Sequence, residues 1–433
     1  MSDLYGCAFP AHLGKEQQDL YEAEMAAVME AAKKSFLENG PTLPSWTLEA
    51  QVAITRARAE VVRLLKKCAS IGMTPETFDA EKIGTLFKPL RTFTARSIEE
   101  KGKFERHIWK IEADNLFISP KEVFDELAES DKKLAMESKP RELYTEVVVS
   151  NEFVKAAEEK GIDSSKLLGV APLSENEKII IHYHGGGFCI EGPAICRGLA
   201  ADLSKETGYR VFLPSYRLAP ENPFPKPIYD GYLFYKHMLN LGYKHENIII
   251  SGDSAGGNMC LSIMVNLRDS GMPQPMCAIL HSPWVDLNLP GESYVRNVDL
   301  DFISQERPEN ILCHVRMYVA PGREYDDHVK KMLNDPMVSP TFGDFTGVAP
   351  MMMITGEVEL LVDDTDIFAH KLGLKERFIS GREHPGAIEG AKNVYEKYAG
   401  MGHIFFFIEA ANEKHACIRG IGNYIRNIES QNS

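Results

Sequence analysis

The chain has 433 residues, which exceeds one compact core of ordinary size and indicates a large domain with an added segment, or two to three domains. Its composition, with 44% apolar and 25% charged residues, is typical of a soluble globular protein. The net charge of −14 disfavours nucleic acids and anionic lipid surfaces as partners, because both attract a basic surface.

The first residues, MSDLYGCAFPAHLGKEQQ, have neither the basic start nor the apolar stretch of a secretory signal. The sequence also has no run of eighteen or more apolar residues, so it predicts no membrane span. The eight cysteines are scattered and form no CxxC pair. We therefore expect reduced thiols in a cytoplasmic protein, with neither a metal site nor a disulfide framework.

Residues 1–141 differ from the rest of the chain, because long helical patterns of apolar and polar residues dominate them. Such patterns run over 15–38, 47–70 and roughly 120–136. The sequence therefore predicts an all-helical N-terminal extension over 1–141, which we interpret as a cap, followed by a catalytic domain over 142–433.

From residue 142 onward, short apolar runs rich in β-branched residues alternate with helical patterns. The runs lie at 144–149, 178–183, 210–214, 247–251, 276–281, 350–355 and 392–399, and helices are predicted at 194–207, 228–241 and 255–270. This alternation predicts an α/β fold with a mostly parallel central sheet and helices on both faces. In such sheets, functional sites form at the carboxyl ends of the strands.

The run at 247–251 leads into the sequence GDSAGG, which contains a G-x-S-x-G pattern centred on Ser254. A serine nucleophile on a sharp strand-to-helix turn needs small neighbours, which this pattern supplies. A glycine-rich turn without chemistry and a phosphate-binding loop are the alternatives. The second is disfavoured, since the chain has neither a G-x-G-x-x-G at its first strand nor a G-x-x-x-x-G-K-[ST] pattern.

Three consecutive glycines, Gly185 to Gly187, follow the earlier strand at 178–183. A serine that attacks an acyl carbon creates an oxyanion, and backbone N–H groups without obstructing side chains stabilise it. We therefore predict an oxyanion hole formed by the N–H groups of Gly186, Gly187 and Ala255.

Five motifs in this order resemble the hormone-sensitive lipase family of α/β-hydrolases, and the resemblance covers roughly 142–430. They are HGGGF at 184–188, YRLAPENPFP at 216–225, GDSAGGN at 252–258, SPWVDL at 282–287 and DPMVSP at 335–340. That family includes microbial carboxylesterases and arylacetamide deacetylase, so the resemblance implies ester hydrolysis. It also implies an N-terminal helical cap, although usually a shorter one.

The catalytic base should be a histidine that follows a late strand. We predict His403, which lies just after the strand at 392–399 and matches the H-x-F loop of the family. His384 is the alternative, but it precedes that strand. Helix-to-strand loops lie at the edge of the sheet away from the chemistry.

The catalytic acid should follow the strand at 350–355. The family pattern resembles G-x-x-D-x-L-x-D, and Glu359 occupies the position of its first aspartate. Other α/β-hydrolases use glutamate in this role, so we predict a Ser-His-Glu triad, with Asp363 as the alternative acid.

Together these features predict a serine hydrolase of carboxylic esters that needs no cofactor and acts on a small-molecule substrate. The resemblance favours small to medium acyl chains or aryl esters. An amidase, deacetylase or lactonase on the same residues, or a non-catalytic receptor of the same fold, are the alternatives. The stretch 375–391 is long for a helix-to-strand link and is interpreted as a surface insertion.

Overall fold

The computed structural model describes residues 15–69, 72–91, 98–111, 141–303, 305 and 307–432. Within them lie the strands β1 (Gly102–Ile111), β2 (Arg141–Ser150), β3 (Ile179–Tyr183), β4 (Arg210–Pro214), β5 (Ile248–Asp253), β6 (Cys277–His281), β7 (Met351–Gly356), β8 (Lys375–Ile379) and β9 (Val394–Tyr398). The α-helices are α1 (Lys15–Asn39), α2 (Leu48–Ala69), α3 (Ala80–Arg91), α4 (Asn151–Glu159), α5 (Ser164–Leu167), α6 (Arg197–Thr207), α7 (Lys226–Asn240), α8 (Ala255–Asp269), α9 (Ser293–Arg296), α10 (His314–Val319), α11 (Asp327–Leu333), α12 (Val362–Lys371) and α13 (Asn412–Asn432).

All nine described strands join one sheet in the order β1-β2-β4-β3-β5-β6-β7-β9-β8. The two outer pairs β1–β2 and β2–β4 are antiparallel, and every pair from β4 to β8 is parallel. The α/β fold with a mostly parallel sheet, predicted from the alternation of apolar runs and helical patterns, is therefore confirmed.

The central strands are buried on both faces, which explains their continuous apolar sequences. In β3, Ile179 and Ile181 face a core that contains α7 and α8, and Ile180 faces a second core that contains α6 and α13. Because side chains alternate along a strand, each run of isoleucines supplies both cores at once. Helices on both faces follow from this arrangement.

The N-terminal region contains the predicted helices α1 and α2, but the prediction that 1–141 is all-helical was wrong. Residues 102–111 form β1, which pairs with β2 along all ten of its residues. β1 is an edge strand with exposed apolar side chains such as Ile108, so it lacks the continuous apolar run by which the inner strands were recognised. The helix predicted near 120–136 lies outside the described residues.

The stretch 375–391 is also not simply a surface insertion. Its first five residues form β8, which pairs in parallel with β9 at the other edge of the sheet. Only Ile379 of this strand is buried, so its sequence shows neither a continuous apolar run nor a clear alternation.

Candidate active site

Ser254 lies between the end of β5 and the start of α8, on a backbone with φ of 52° and ψ of −115°. The glycines around it allow the turn to close tightly. A Cβ atom on Gly252 would lie 2.3 Å from the backbone oxygen of Gly256, and one on Gly256 would lie 2.0 Å from the oxygen of Tyr183. The strained turn and its small neighbours are the arrangement that exposes a nucleophilic serine at a strand end.

The three-glycine turn after β3 lies directly against this serine. A Cβ atom on Gly185 would be 3.2 Å from the Cβ of Ser254. Gly186 and Gly187 have φ values of 86° and 58°, which suit glycine and orient their N–H groups differently from those of a strand. Ala255 is the first residue of α8, whose first N–H groups have no partner inside the helix.

His403 and Glu359 are in direct contact at the ends of the neighbouring strands β7 and β9. His403 Nδ1 lies 2.8 Å from Glu359 Oε2, and both side chains are almost completely buried. The other carboxylate oxygen of Glu359 accepts a hydrogen bond of 2.6 Å from the N–H of Gly356. A Cβ atom on Gly356 would lie 2.0 Å from the backbone oxygen of Met401, so the loop that carries His403 depends on a glycine there.

The environment of His403 favours its protonated form. Burial lowers the pKa of the imidazole, but the hydrogen bond and the negative charge of Glu359 outweigh the burial. The charges of Asp301 and Asp253 act in the same direction, so the pKa of His403 lies above its ordinary value. A carboxylate in this place holds the imidazole tautomer and stabilises the imidazolium, as a serine hydrolase requires.

The two alternative residues have other contacts. Asp363 accepts hydrogen bonds from the N–H of Ser293 and from the guanidinium of Arg296. His384 pairs with Glu396 at 3.0 Å. The structure therefore brings Glu359, not Asp363, to His403.

Two residues that orient His403 and Glu359 were missed by sequence reasoning. Asp301 Oδ1 accepts a 3.0 Å hydrogen bond from the N–H of His403, and its Oδ2 accepts one of 2.7 Å from Leu360. Ser282 Oγ donates to Glu359 at 3.3 Å and accepts a 3.1 Å bond from the N–H of Ile404. Ser282 does open the SPWVDL motif, whereas Asp301 lies in a stretch without any recognised pattern.

The same segment links the loop that carries His403 to the turn that carries Ser254. The N–H of Ser254 donates a 2.9 Å hydrogen bond to the backbone oxygen of His281, the residue before Ser282. Ser282 in turn bonds to Ile404, the residue after His403. The turn with Ser254 and the loop with His403 are thus both anchored at the end of β6.

A buried polar cluster lies beneath Ser254. His182, Cys196 and Asp253 each place one potential metal-ligand atom within 4.8 Å of the others. His182 bonds to Ser251 at 2.9 Å and to Asp253 at 3.0 Å. These hydrogen bonds account for the arrangement of the imidazole without an ion, and they fix Asp253, the residue that precedes Ser254.

The N-terminal helices contact both loops of this site. Trp46, just before α2, donates its indole N–H to the backbone oxygen of Gly400 in the histidine loop at 2.6 Å. Arg91, the last residue of α3, donates to the oxygen of Cys189 at 2.8 Å and pairs with Glu221. Cys189 directly follows the HGGGF motif, so α3 lies beside the three-glycine turn.

A family model described as alpha/beta hydrolase fold matches residues 180–406, more than half of the 433 residues. The chain belongs to the α/β-hydrolase family. It is 34% identical over 194 residues to a protein named Esterase from Acinetobacter venetianus, covering 45% of this chain and 61% of that protein. Human hormone-sensitive lipase is 34% identical over 109 residues, which cover 24% of this chain and 10% of that protein.

A solved esterase from the bacterial hormone-sensitive lipase family superimposes with a TM-score of 0.53 at 20% identity, covering 86% of this chain and 98% of the other. The sequence resemblance to the hormone-sensitive lipase group is confirmed. The chain spans about three fifths of the length of the Acinetobacter relative. None of the helices in the described residues is long and apolar enough to cross a membrane.

Proposed function

We propose that this α/β-hydrolase cleaves carboxylic esters of small to medium acyl chains or aryl groups through a triad of Ser254, His403 and Glu359. The observation that carries the proposal is the buried 2.8 Å contact between His403 Nδ1 and Glu359 Oε2. It lies at the same edge of the sheet as a strained serine turn packed against three glycines.

In the proposed reaction, His403 Nε2 takes the proton of Ser254 Oγ while this oxygen attacks the carbonyl carbon of the ester. The N–H groups of Gly186, Gly187 and Ala255 stabilise the oxyanion that forms. The intermediate then expels the alcohol, which takes its proton from His403 and leaves an acyl-enzyme. Water, activated by His403, releases the carboxylic acid and restores the serine.

Three further observations support this proposal. The chain belongs to the α/β-hydrolase family, and a relative with 34% identity is named Esterase. The pKa of His403 is raised because Glu359 stabilises the protonated imidazole, which is the form that a general base takes during the reaction. Six of the described cysteines, from Cys189 to Cys417, are buried and not joined in disulfides, as expected for the cytoplasmic location that we also propose.

We further propose that residues 1–141 act as a cap over this site. The contacts of Trp46 with the histidine loop and of Arg91 with the residue after HGGGF support this role. Apolar residues of α2 and α3, among them Ile54 and Phe87, are part of the two main cores, so the cap is continuous with the catalytic domain.

The test is hydrolysis of p-nitrophenyl esters from acetate to palmitate by the wild type, Ser254→Ala and the exposed-serine control Ser165→Ala. We expect activity on short and medium chains that is lost in Ser254→Ala and kept in Ser165→Ala. Faster cleavage of a matched anilide than of the ester would instead indicate an amidase. Labelling by a fluorophosphonate, read as a mass shift, should depend on Ser254; its absence in the wild type would contradict the proposed nucleophile.

A further inference from the structure

Glu191 is an acidic residue beside the oxyanion turn that the proposed reaction does not use. The backbone oxygen of Gly186 accepts hydrogen bonds of 3.0 Å from the N–H groups of Cys189 and Ile190, which brings the chain back onto the turn. A Cβ atom on Gly186 would therefore lie 3.0 Å from the Cβ of Glu191. The side chain of Glu191 thus starts immediately next to a predicted oxyanion donor.

The backbone of Glu191 is strained. Its φ is 68°, in the left-handed region that glycine occupies without cost and that a glutamate disfavours. Strain of this kind persists where the surrounding structure holds it, and it concentrates at functional sites. A role of the Glu191 side chain in the site would explain why this position keeps a glutamate despite its positive φ.

The carboxyl group of Glu191 has an unmet hydrogen-bonding requirement. Its Oε2 is buried and, among the described residues, has no hydrogen-bond partner, although the residue as a whole keeps partial exposure. Buried polar atoms nearly always have a partner, so an atom without one at the edge of an active site indicates a place for a ligand group.

Four titratable groups interact electrostatically with this carboxyl: Asp253 at the end of β5, His403, Cys196 and Tyr216. Burial raises the pKa of Glu191 to about 8, the charge of Asp253 adds to this, and that of His403 opposes it. At neutral pH the group is therefore mainly a neutral carboxylic acid. Such a group offers one hydrogen-bond donor and an acceptor.

We propose that Glu191 is a specificity-determining residue whose carboxyl group binds a hydroxyl group carried by the substrate near its ester bond. This inference rests on the proposed ester hydrolysis. A hydroxyl group both donates and accepts, so it satisfies a neutral carboxylic acid, whereas an alkyl group leaves the buried oxygen without a partner. A protonated amine fits less well, because it would require the ionised form that burial and Asp253 disfavour.

The experiment compares isosteric ester pairs with the full-length chain, following acid release in a pH-stat. Ethyl 3-hydroxybutyrate is paired with ethyl 3-methylbutyrate, and 2-hydroxyethyl butyrate with propyl butyrate. In each pair a hydroxyl replaces a methyl, so the ratio of the two kcat/KM values isolates its contribution. A site built for a hydroxyl discriminates strongly against the analogue that lacks it, and we expect at least a tenfold preference in one pair at about pH 7.

Two variants then test whether Glu191 is the source of the preference. Glu191→Gly removes the carboxyl and relieves the positive φ, so the protein should fold, which a thermal melt checks. It should lower the ratio at least tenfold. Glu191→Gln keeps a donor and an acceptor and should retain the ratio within about threefold at pH 7 and also at pH 9, where the wild type loses it as Glu191 ionises.

The outcomes distinguish a failure of the inference about Glu191 from a failure of the proposed ester hydrolysis. Activity of the wild type on all four esters with ratios near one would overturn the inference alone. A preference that survives in Glu191→Gly would assign the hydroxyl contact to another residue and also overturn it. Failure of the wild type to cleave any of the four esters would overturn the proposed function and this inference with it.

Discussion

Replacing Glu359 by glutamine tests the assigned acid, because the structure leaves the amide no satisfactory orientation. One carboxylate oxygen accepts from the N–H of Gly356 at 2.6 Å and from Ser282 Oγ at 3.3 Å. The other lies 2.8 Å from His403 Nδ1. A carboxylate accepts on both sides, whereas an amide has one accepting and one donating side.

Each orientation of the amide has a specific cost. If its NH2 group faces His403, Nδ1 must accept, the proton moves to Nε2, and the imidazole cannot take a proton from Ser254. If its NH2 group faces Gly356, two buried donors meet and the side chain is displaced. The wrong tautomer in serine proteases lowers kcat by about four orders of magnitude. We expect a loss of about 10³- to 10⁴-fold here, which corresponds to roughly 4–5.5 kcal/mol of transition-state stabilisation.

The assay is kcat/KM on p-nitrophenyl butyrate, with thermal melts to show that each variant is folded. Asp363→Asn is the matched control, since this carboxylate bonds to Ser293 and Arg296 and should be dispensable for chemistry. Glu359→Asp keeps the negative charge on a shorter side chain, so its kcat/KM should lie between those of the wild type and Glu359→Gln. A folded Glu359→Gln with a rate within tenfold of the wild type would refute the reasoning.

Three further predictions follow from single residues. The pKa of His403 is raised and its neutral form is the base, so kcat/KM should fall as the pH drops through an apparent pKa above the ordinary value of about 6.5; a midpoint at or below this value would contradict the prediction. Burial and the charge of Asp286 raise the pKa of Asp364 from 3.8 to about 8, so the carboxyl costs stability increasingly from about pH 4 to pH 8. Asp364→Asn should therefore gain on the order of 3–5 kcal/mol relative to the wild type between pH 4 and pH 9 in chemical denaturation, whereas a pH-independent difference would exclude the raised pKa. Gly356→Ala should lose about 2–4 kcal/mol of stability and most activity, since its Cβ would lie 2.0 Å from a backbone oxygen of the histidine loop. The control Gly198→Ala has open space at its Cβ, so its stability in thermal melts should be unchanged or higher.

The parts of the site that could be predicted are those with a local cause. The turn at Ser254 needs glycines two residues away on either side, because its backbone closes on itself within five residues. The three glycines after β3 are equally local. Such requirements appear as short sequence patterns. The alternation of apolar runs and helical patterns predicted that both turns lie at the ends of parallel strands.

The residues that could not be predicted act over long distances in the chain. Asp301 bonds to the backbone of His403 across 102 positions, and Ser282 bonds to that of Ile404 across 122. Only the folded sheet brings these groups together, so nothing in the neighbouring sequence marks Asp301. The same holds for β1, whose strand character comes from pairing with β2 rather than from two buried faces.

Backbone strain also marks the loops of the site, although neither sequence motifs nor periodicity reveal it. Six non-glycine residues in the described part of the chain have positive φ, and five of them belong to the loops that carry the site, namely Phe188, Glu191, Ser254, Ser282 and Ile404. A bulky residue in this region opposes its own local preference, so the tertiary structure must impose the conformation. Local sequence preference therefore fails at the carboxyl edge of the sheet, where we propose the active site, because tertiary contacts impose the loop conformations there. The buried strands behind this edge follow their preferences and hold the strained loops in place.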